Sequence, residues 1–413
     1  MQVPKKRYII LAILLLLVGA AYVGLRYARS PKFLGPQIES VLEDKTGAKI
    51  TIENLRFNPI TGAKMDRLTM VPPSGTYKGE KIHPVTVEGL TVSHNLGSLF
   101  IGDYKPEYCT IENLQAKLSP VAIDWLKAVK DRATRDIKHP RMPKTEILDG
   151  TATFRMPDWQ SPVDIKDIDF TFTRTQHGSV NGVGALSVPG GRIQVRMAAM
   201  PDEDRIDVQT LFRDFDASAL PLDKFPGKKS LTDKLKISGS LNGQINVEST
   251  MAKGPFLSGT VTLADIRASR DDWETSVNNV SGQIELGRQG MTVSSLNGQV
   301  ESGYFSIPAA TLQYPDGKPT NMAGSGRIMG LKVSEVPWKA FPEKLQERVR
   351  QPQPESGTLD ATFSAGWHAG SEPVWETSLV LKDAAMKVPE LDIPLRGINV
   401  QASLDSAGRC VID

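Results

Sequence analysis

Thr51-Ile52-Glu53-Asn54-Leu55 and Thr110-Ile111-Glu112-Asn113-Leu114 spell the same five residues, TIENL, in two otherwise unrelated contexts. In each copy the apolar Ile and Leu stand three apart, and in a regular strand an odd spacing turns them to opposite faces. A looser form of the phrase (apolar, any residue, turn former, apolar) recurs at Val87-Glu88-Gly89-Leu90, Ile165-Lys166-Asp167-Ile168, Val277-Asn278-Asn279-Val280, Val293-Ser294-Ser295-Leu296 and Leu395-Arg396-Gly397-Ile398. Asn, Gly and Asp tolerate left-handed backbone angles. One of them at the third position can absorb an extra residue as a bulge and return the second apolar residue to the face of the first. The phrase then predicts points where a long sheet bends while one face stays apolar; the alternative is a coincidence of common strand-edge residues.

Between these phrases the chain alternates. Leu257, Val261 and Leu263 interleave with Ser258, Thr260 and Thr262, while Leu359, Ala361, Phe363, Ala365 and Trp367 interleave with Thr358, Asp360, Thr362 and Ser364. Ile168, Phe170 and Phe172 do the same against Asp169, Thr171 and Thr173. A period of two predicts strands with one apolar and one polar face, and hence a mainly β chain of antiparallel sheet.

Composition narrows the function. The 49 basic residues nearly cancel the 47 acidic ones in 413, so no chain-wide positive field exists to hold nucleic acid. Cys109 and Cys410 lack the short-spaced partners that zinc sites use, and the five histidines, His83, His94, His139, His177 and His368, are scattered singly. No metal site, cofactor motif or catalytic residue is expected.

Residues 8–25 are uncharged, follow Lys5-Lys6-Arg7 and precede Arg26, Arg29 and Lys32. As a helix they would reach about 27 Å, enough for a bilayer's hydrocarbon core. Leu11, Leu14 and Leu17 would lie within the span, Tyr8 and Tyr22 near its interfaces, and Leu25 at its end. The alternative is a cleaved export signal ending near Gly19-Ala20-Ala21. Two short capping helices follow from Ser-Pro starts. Ser30-Pro31 opens one with Leu34, Ile38, Val41 and Leu42 on a single face, ending at Gly47, and Ser119-Pro120 opens the other with Trp125, Leu126 and Val129.

A longer repeat is more specific than the phrase. Ser238-Gly239-Ser240-Leu241 aligns with Ser356-Gly357-Thr358-Leu359, Leu263-Ala264-Asp265 with Leu381-Lys382-Asp383, and Val280 with Ile398, all at an offset of 118. Ser218, Leu220-Pro221, Phe225-Pro226 and Lys228 align with Ser334, Val336-Pro337, Phe341-Pro342 and Lys344 at 116. A weaker copy starts near Gly150. The expected organisation is a stub and anchor at 1–29, a helix-plus-sheet unit at 30–147, and repeats at 148–237, 238–355 and 356–413. The last stops early against its predecessor, so a longer architecture is expected.

The basic-flanked anchor, the helix ending in Leu42-Glu43-Asp44-Lys45-Thr46-Gly47 and the stretch from Ala48 through Thr51-Ile52-Glu53-Asn54-Leu55 to Asn58-Pro59 resemble the amino-terminal signature of AsmA-like envelope proteins of diderm bacteria. The Ser-Gly-x-Leu and Pro-x-x-x-Phe-Pro repeats look like that family's body. The resemblance implies a single-pass inner-membrane anchor and a periplasmic β-sheet trough built of repeats. Its apolar concave face would carry phospholipid toward the outer membrane. The alternating runs supply the candidate lipid-facing residues: Leu257, Val261, Leu263, Leu359, Phe363 and Trp367.

Two other classes compete. Dry β-sandwich cores would leave the same alternation and suit a scaffold or assembly factor for outer-membrane proteins. An enzyme has little to stand on. Phe225-Pro226-Gly227-Lys228-Lys229-Ser230 lacks the upstream glycine of a phosphate loop, and Asp202-Glu203-Asp204 and Asp271-Asp272 read as solvated turn charges.

Overall fold

The computed structural model describes residues 31–58, 62–94, 106–134, 143–155, 162–175, 179–200, 205–220, 235–250, 254–270, 276–315, 318–336, 354–387, 394–407 and 409–412. The expected anchor at 8–25, with Tyr8, Leu11, Leu14, Leu17, Tyr22 and Leu25, lies outside them. Among the described residues no helix is long and apolar enough to cross a membrane. The chain is mainly β and divides into two compact units, Met1–Val188 with Arg196–Asp202, and Pro189–Val195 with Glu203–Asp413.

The first unit opens with helix α1 (Pro31–Thr46), then strands β1 (Lys49–Glu53), β2 (Arg56–Asn58) and β3 (Gly62–Val71), a small hairpin of β4 (Thr76–Tyr77) and β5 (Glu80–Lys81), and β6 (Val85–His94). Strands β7 (Pro106–Glu112) and β8 (Leu114–Leu118), helix α2 (Pro120–Thr134), β9 (Lys144–Phe154), β10 (Val163–Arg174) and β11 (Val180–Val188) complete it. Ser119 caps α2 as its Ser-Pro start predicts, its Oγ accepting from the Ala122 N–H at 3.1 Å. Both helices pack on the sheet's apolar face, where Trp125 and Ala122 meet Ala48, Ile50 and Ile82 in one buried cluster, flanked by Leu42, Leu126 and Val129. Val41, expected on the packed face of α1, is exposed. Glu43 and Glu39 of α1 accept the Ile50 and Ile52 N–H groups at 2.9 and 2.6 Å, so the helix also satisfies backbone donors of β1.

The expected antiparallel sheet is interrupted here. Strands β7 and β8 pair with β9 in parallel, because α2 serves as a crossover that returns the chain in the same direction. The sheet is mixed.

The second unit is a meander of long antiparallel strands: β13 (Arg205–Asp216), β14 (Leu235–Thr250), β15 (Gly254–Arg270), β16 (Val277–Gly287), β17 (Gly290–Val300), β18 (Gly303–Gln313), β19 (Asn321–Lys332), β20 (Pro354–His368), β21 (Val374–Lys387), β22 (Pro394–Asp405) and β23 (Cys410–Ile412). Strand β12 (Gly191–Met200) divides between the units.

All seven third positions of the repeated phrase adopt positive φ: 52° at Asn54, 79° at Gly89, 50° at Asn113, 48° at Asp167, 50° at Asn279, 51° at Ser295 and 71° at Gly397. Further phrases of the same form, centred on Asp214, Asp265, Gly330 and Asp383, behave alike, as does Asp149 before Gly150. Register shows the effect. Between Leu263 and Ile266 the strand takes three steps while its partner takes two, from Gly282 to Val280. The same three-against-two step separates Phe212 from Phe215, Ile328 from Leu331, and Leu381 from Ala384. Phe212 and Phe215 thereby join one cluster with Leu263 and Ile266, on one face despite their odd spacing.

The repeat extends to backbone angles and bonds. Gly239 and Gly357 have φ of 122° and 125°, and Asp265 and Asp383 of 52° and 50°. The N–H of the bulge residue is clamped by a neighbouring strand in both copies, Asp214 to Asn242 Oδ1 at 2.8 Å and Gly330 to Asp360 Oδ1 at 2.7 Å. The Lys382 ammonium and this N–H hold the Asp360 carboxyl below the ordinary carboxylate range. Its contribution to stability is therefore present at neutral pH and lost as pH falls through that depressed value.

A β-branched residue at a left-handed position is strained. Asn113→Val is expected to cost about 1–3 kcal/mol and Asn113→Gly less than about 1 kcal/mol. Denaturant melts of the two variants beside the parent check the order.

Candidate functional site

In the second unit the strand registers carry one apolar face from strand to strand. From Val261 on β15 the cross-strand partners run through Ile284, Val293, Ala310 and Gly324 to Ala365 on β20. A second row runs from Ile245 through Gly259, Leu286, Met291, Leu312 and Met322 to Trp367. A third, realigned by the bulges, includes Leu241 and Leu263, then Leu296 and Ile307, then Gly326 and Phe363. No charged side chain stands in these rows. The opposite face pairs Asn246 with Ser258, Gln244 with Thr260, Glu285 with Thr292 and Arg327 with Thr362. It also carries a hollow of about 620 Å³ lined by Ser325, Arg327, Thr362, Ser364, Glu376 and Ser378, among others.

All six candidate residues lie on the apolar face. Leu257, Val261 and Leu263 share β15 at even spacing with unbroken register to Val247, Gly243 and Leu241. Leu359, Phe363 and Trp367 are likewise at even spacing on β20, opposite Leu331, Gly326 and Met322, with the bulge between Ile328 and Leu331 lying between the first two pairs. They are not equally accessible. Leu257 is 47% exposed, whereas Leu359 is only 8% exposed in a small core with Leu331 and Val336. The 3-10 turn Val333–Glu335 packs there, and its counterpart Ala217–Ala219 packs over Leu241, Ile266 and Val280. Away from the turns the face is half-buried by its own neighbours. Ile284, Leu286, Met291, Leu312 and Met322 belong to it but do not stand out in the sequence, since their strands alternate over shorter runs and only register aligns them.

No second sheet packs on this face among the described residues. At about 4.8 Å per strand and 6.8 Å per residue pair, three rows across the seven strands β14 to β20 cover about 29 by 14 Å. That area of roughly 400 Å² is within the range of the largest patches that soluble monomers leave uncovered. Apolar burial at about 25 cal/mol per Å² makes covering half of it worth about 5 kcal/mol. Chemistry is otherwise sparse: among the described residues no three His, Cys, Asp or Glu side chains converge. Tyr108, Lys144 and Glu146 form a half-buried cluster. The Tyr108 hydroxyl donates to Glu146, holding that carboxyl low together with Lys144, whose own pKa is raised by the same two partners.

No family model matches the chain, and no curated protein matches it.

The two faces should respond differently to charge. An apolar fluorescent dye is expected to bind the protein, and Ile284→Asp to lower that binding several-fold while Gln283→Asp, one residue away on the polar face, leaves it within error. Equal loss in both variants would contradict the assignment of faces.

Proposed function

We propose that the protein is an AsmA-like lipid carrier of the bacterial envelope, anchored in the inner membrane by residues 8–25 and holding phospholipid acyl chains along its apolar sheet face. The observation that supports this most is the uncharged apolar band across β14 to β20 without a covering sheet. A band of this kind suits acyl chains, whose burial is worth about 0.8 kcal/mol per methylene, while a headgroup remains in water at its margin. Rows of partners run perpendicular to the strands, so a chain lying along a row meets a similar surface at each successive strand. Lateral movement then needs neither a deep pocket nor a catalytic group. The basic-flanked apolar segment supports attachment to the inner membrane, with the sheet on the periplasmic side. Outer-membrane or assembly proteins would be the partners at delivery.

Lipid extraction and mass spectrometry of a fragment starting at Ser30, beside a β-sandwich protein of equal size, test this reading. Stoichiometric phospholipid is expected, with at least about fivefold less in Val261→Asp and Phe363→Asp, since a buried unpaired carboxylate costs several kcal/mol. Lipid at the control level would leave the scaffold reading in its place.

A further inference from the structure

On the apolar face phenylalanine is repeatedly paired with glycine across the strands. Phe305 stands opposite Gly298, Phe363 opposite Gly326, and Phe212 opposite Gly243. A Cβ placed on Gly298 would lie 2.6 Å from Phe305 Cε1, one on Gly326 2.6 Å from Phe363 Cζ, and one on Gly243 2.9 Å from Phe212 Cζ. Each ring therefore lies down over the neighbouring strand at the spot where a side chain would otherwise stand. The first unit repeats the device with Phe172 over Gly182 and Phe170 over Gly184. A ring over a glycine shields exposed backbone. Where such a pair stands, the ring fills the pit that its glycine would otherwise leave, whereas Gly259 and Gly324 on the same face have no ring over them.

We propose that these Phe–Gly pairs set the mobility of the bound acyl chain rather than its affinity, by levelling the surface along which it moves. The inference rests on the lipid reading above. A chain crossing a flat row exchanges similar dispersion contacts at each strand, but a ridge or pit of one methyl or one ring makes one position unlike the next and raises a barrier there.

Gly298 is the clearest place to test it. The contacts under 3.0 Å that a Cβ there would make are both to the Phe305 ring, the far end of a side chain that can lift, and the φ of Gly298 is not left-handed. The full chain is placed in donor vesicles of phosphatidylethanolamine and phosphatidylglycerol containing quenched, headgroup-labelled phosphatidylethanolamine. Transfer to acceptor vesicles is followed by dequenching, and labelled lipid retained per protein is measured after gel filtration. Gly298→Ala is expected to retain the parent's amount of labelled lipid and to transfer it about fivefold more slowly. Phe305→Leu, which opens a pit where Gly298→Ala raises a ridge, is expected to slow transfer as well and serves where the first variant does not fold. Unchanged transfer in a folded variant overturns the inference alone. Absence of labelled lipid from the parent protein overturns the lipid reading and this inference with it.

Discussion

Much that is distinctive in this molecule depends on one backbone constraint: a strand that takes an extra residue must absorb it as a bulge, here mostly at a residue in a left-handed conformation, or lose the face it has built. An extended chain alternates sides, and each added residue would move all later apolar side chains to the polar side. Asp265 absorbs the extra step between Leu263 and Ile266, and both then contact the same cluster. The conformation is strained for most residues, which explains the run of Asn, Asp and Gly at these points. Side chains of adjacent strands offset the strain by accepting the bulge N–H, as Asn242 and Asp360 do for Asp214 and Gly330. Strand after strand carries its bulge, and the apolar face is preserved across each.

Much of this is legible in the sequence because left-handed positions restrict residue type. The third place in apolar-x-Asn-apolar can be read from Asn54 and Asn113 alone, and the 118-residue offset correctly pairs Asp265 with Asp383. Asp214, Asp265 and Asp383 obey the same rule in phrases of the same form as Ile165-Lys166-Asp167-Ile168. Parallel pairing of β7 and β8 with β9 escapes the sequence. The capping signal at Ser119-Pro120 locates α2, but alternation carries no direction, and only the crossover decides it. Leu359 reads as a surface-lining residue because periodicity assigns a face without saying what covers it. The turn at Val333–Glu335 covers that end of β20. The Phe–Gly pairs lie beyond sequence reading, since the partners are joined only by register.

The rows from Val261 to Ala365 and from Ile245 to Trp367 spread uncharged surface over many strands. Water is a poor neighbour for such a surface, and an acyl chain is a good one. The charged groups are found on the other face and its margins, where Asp360 meets Lys382 at 2.7 Å. One sheet thus has one wet side and one side suited to hydrocarbon.

The most direct test is photo-crosslinking in growing cells with a benzophenone amino acid placed in turn at residues 257 to 263 of β15. Phospholipid adducts are expected at Leu257, Val261 and Leu263 and none at Ser258, Thr260 or Thr262. Adducts without this period of two, or none at any position, would contradict the lipid reading.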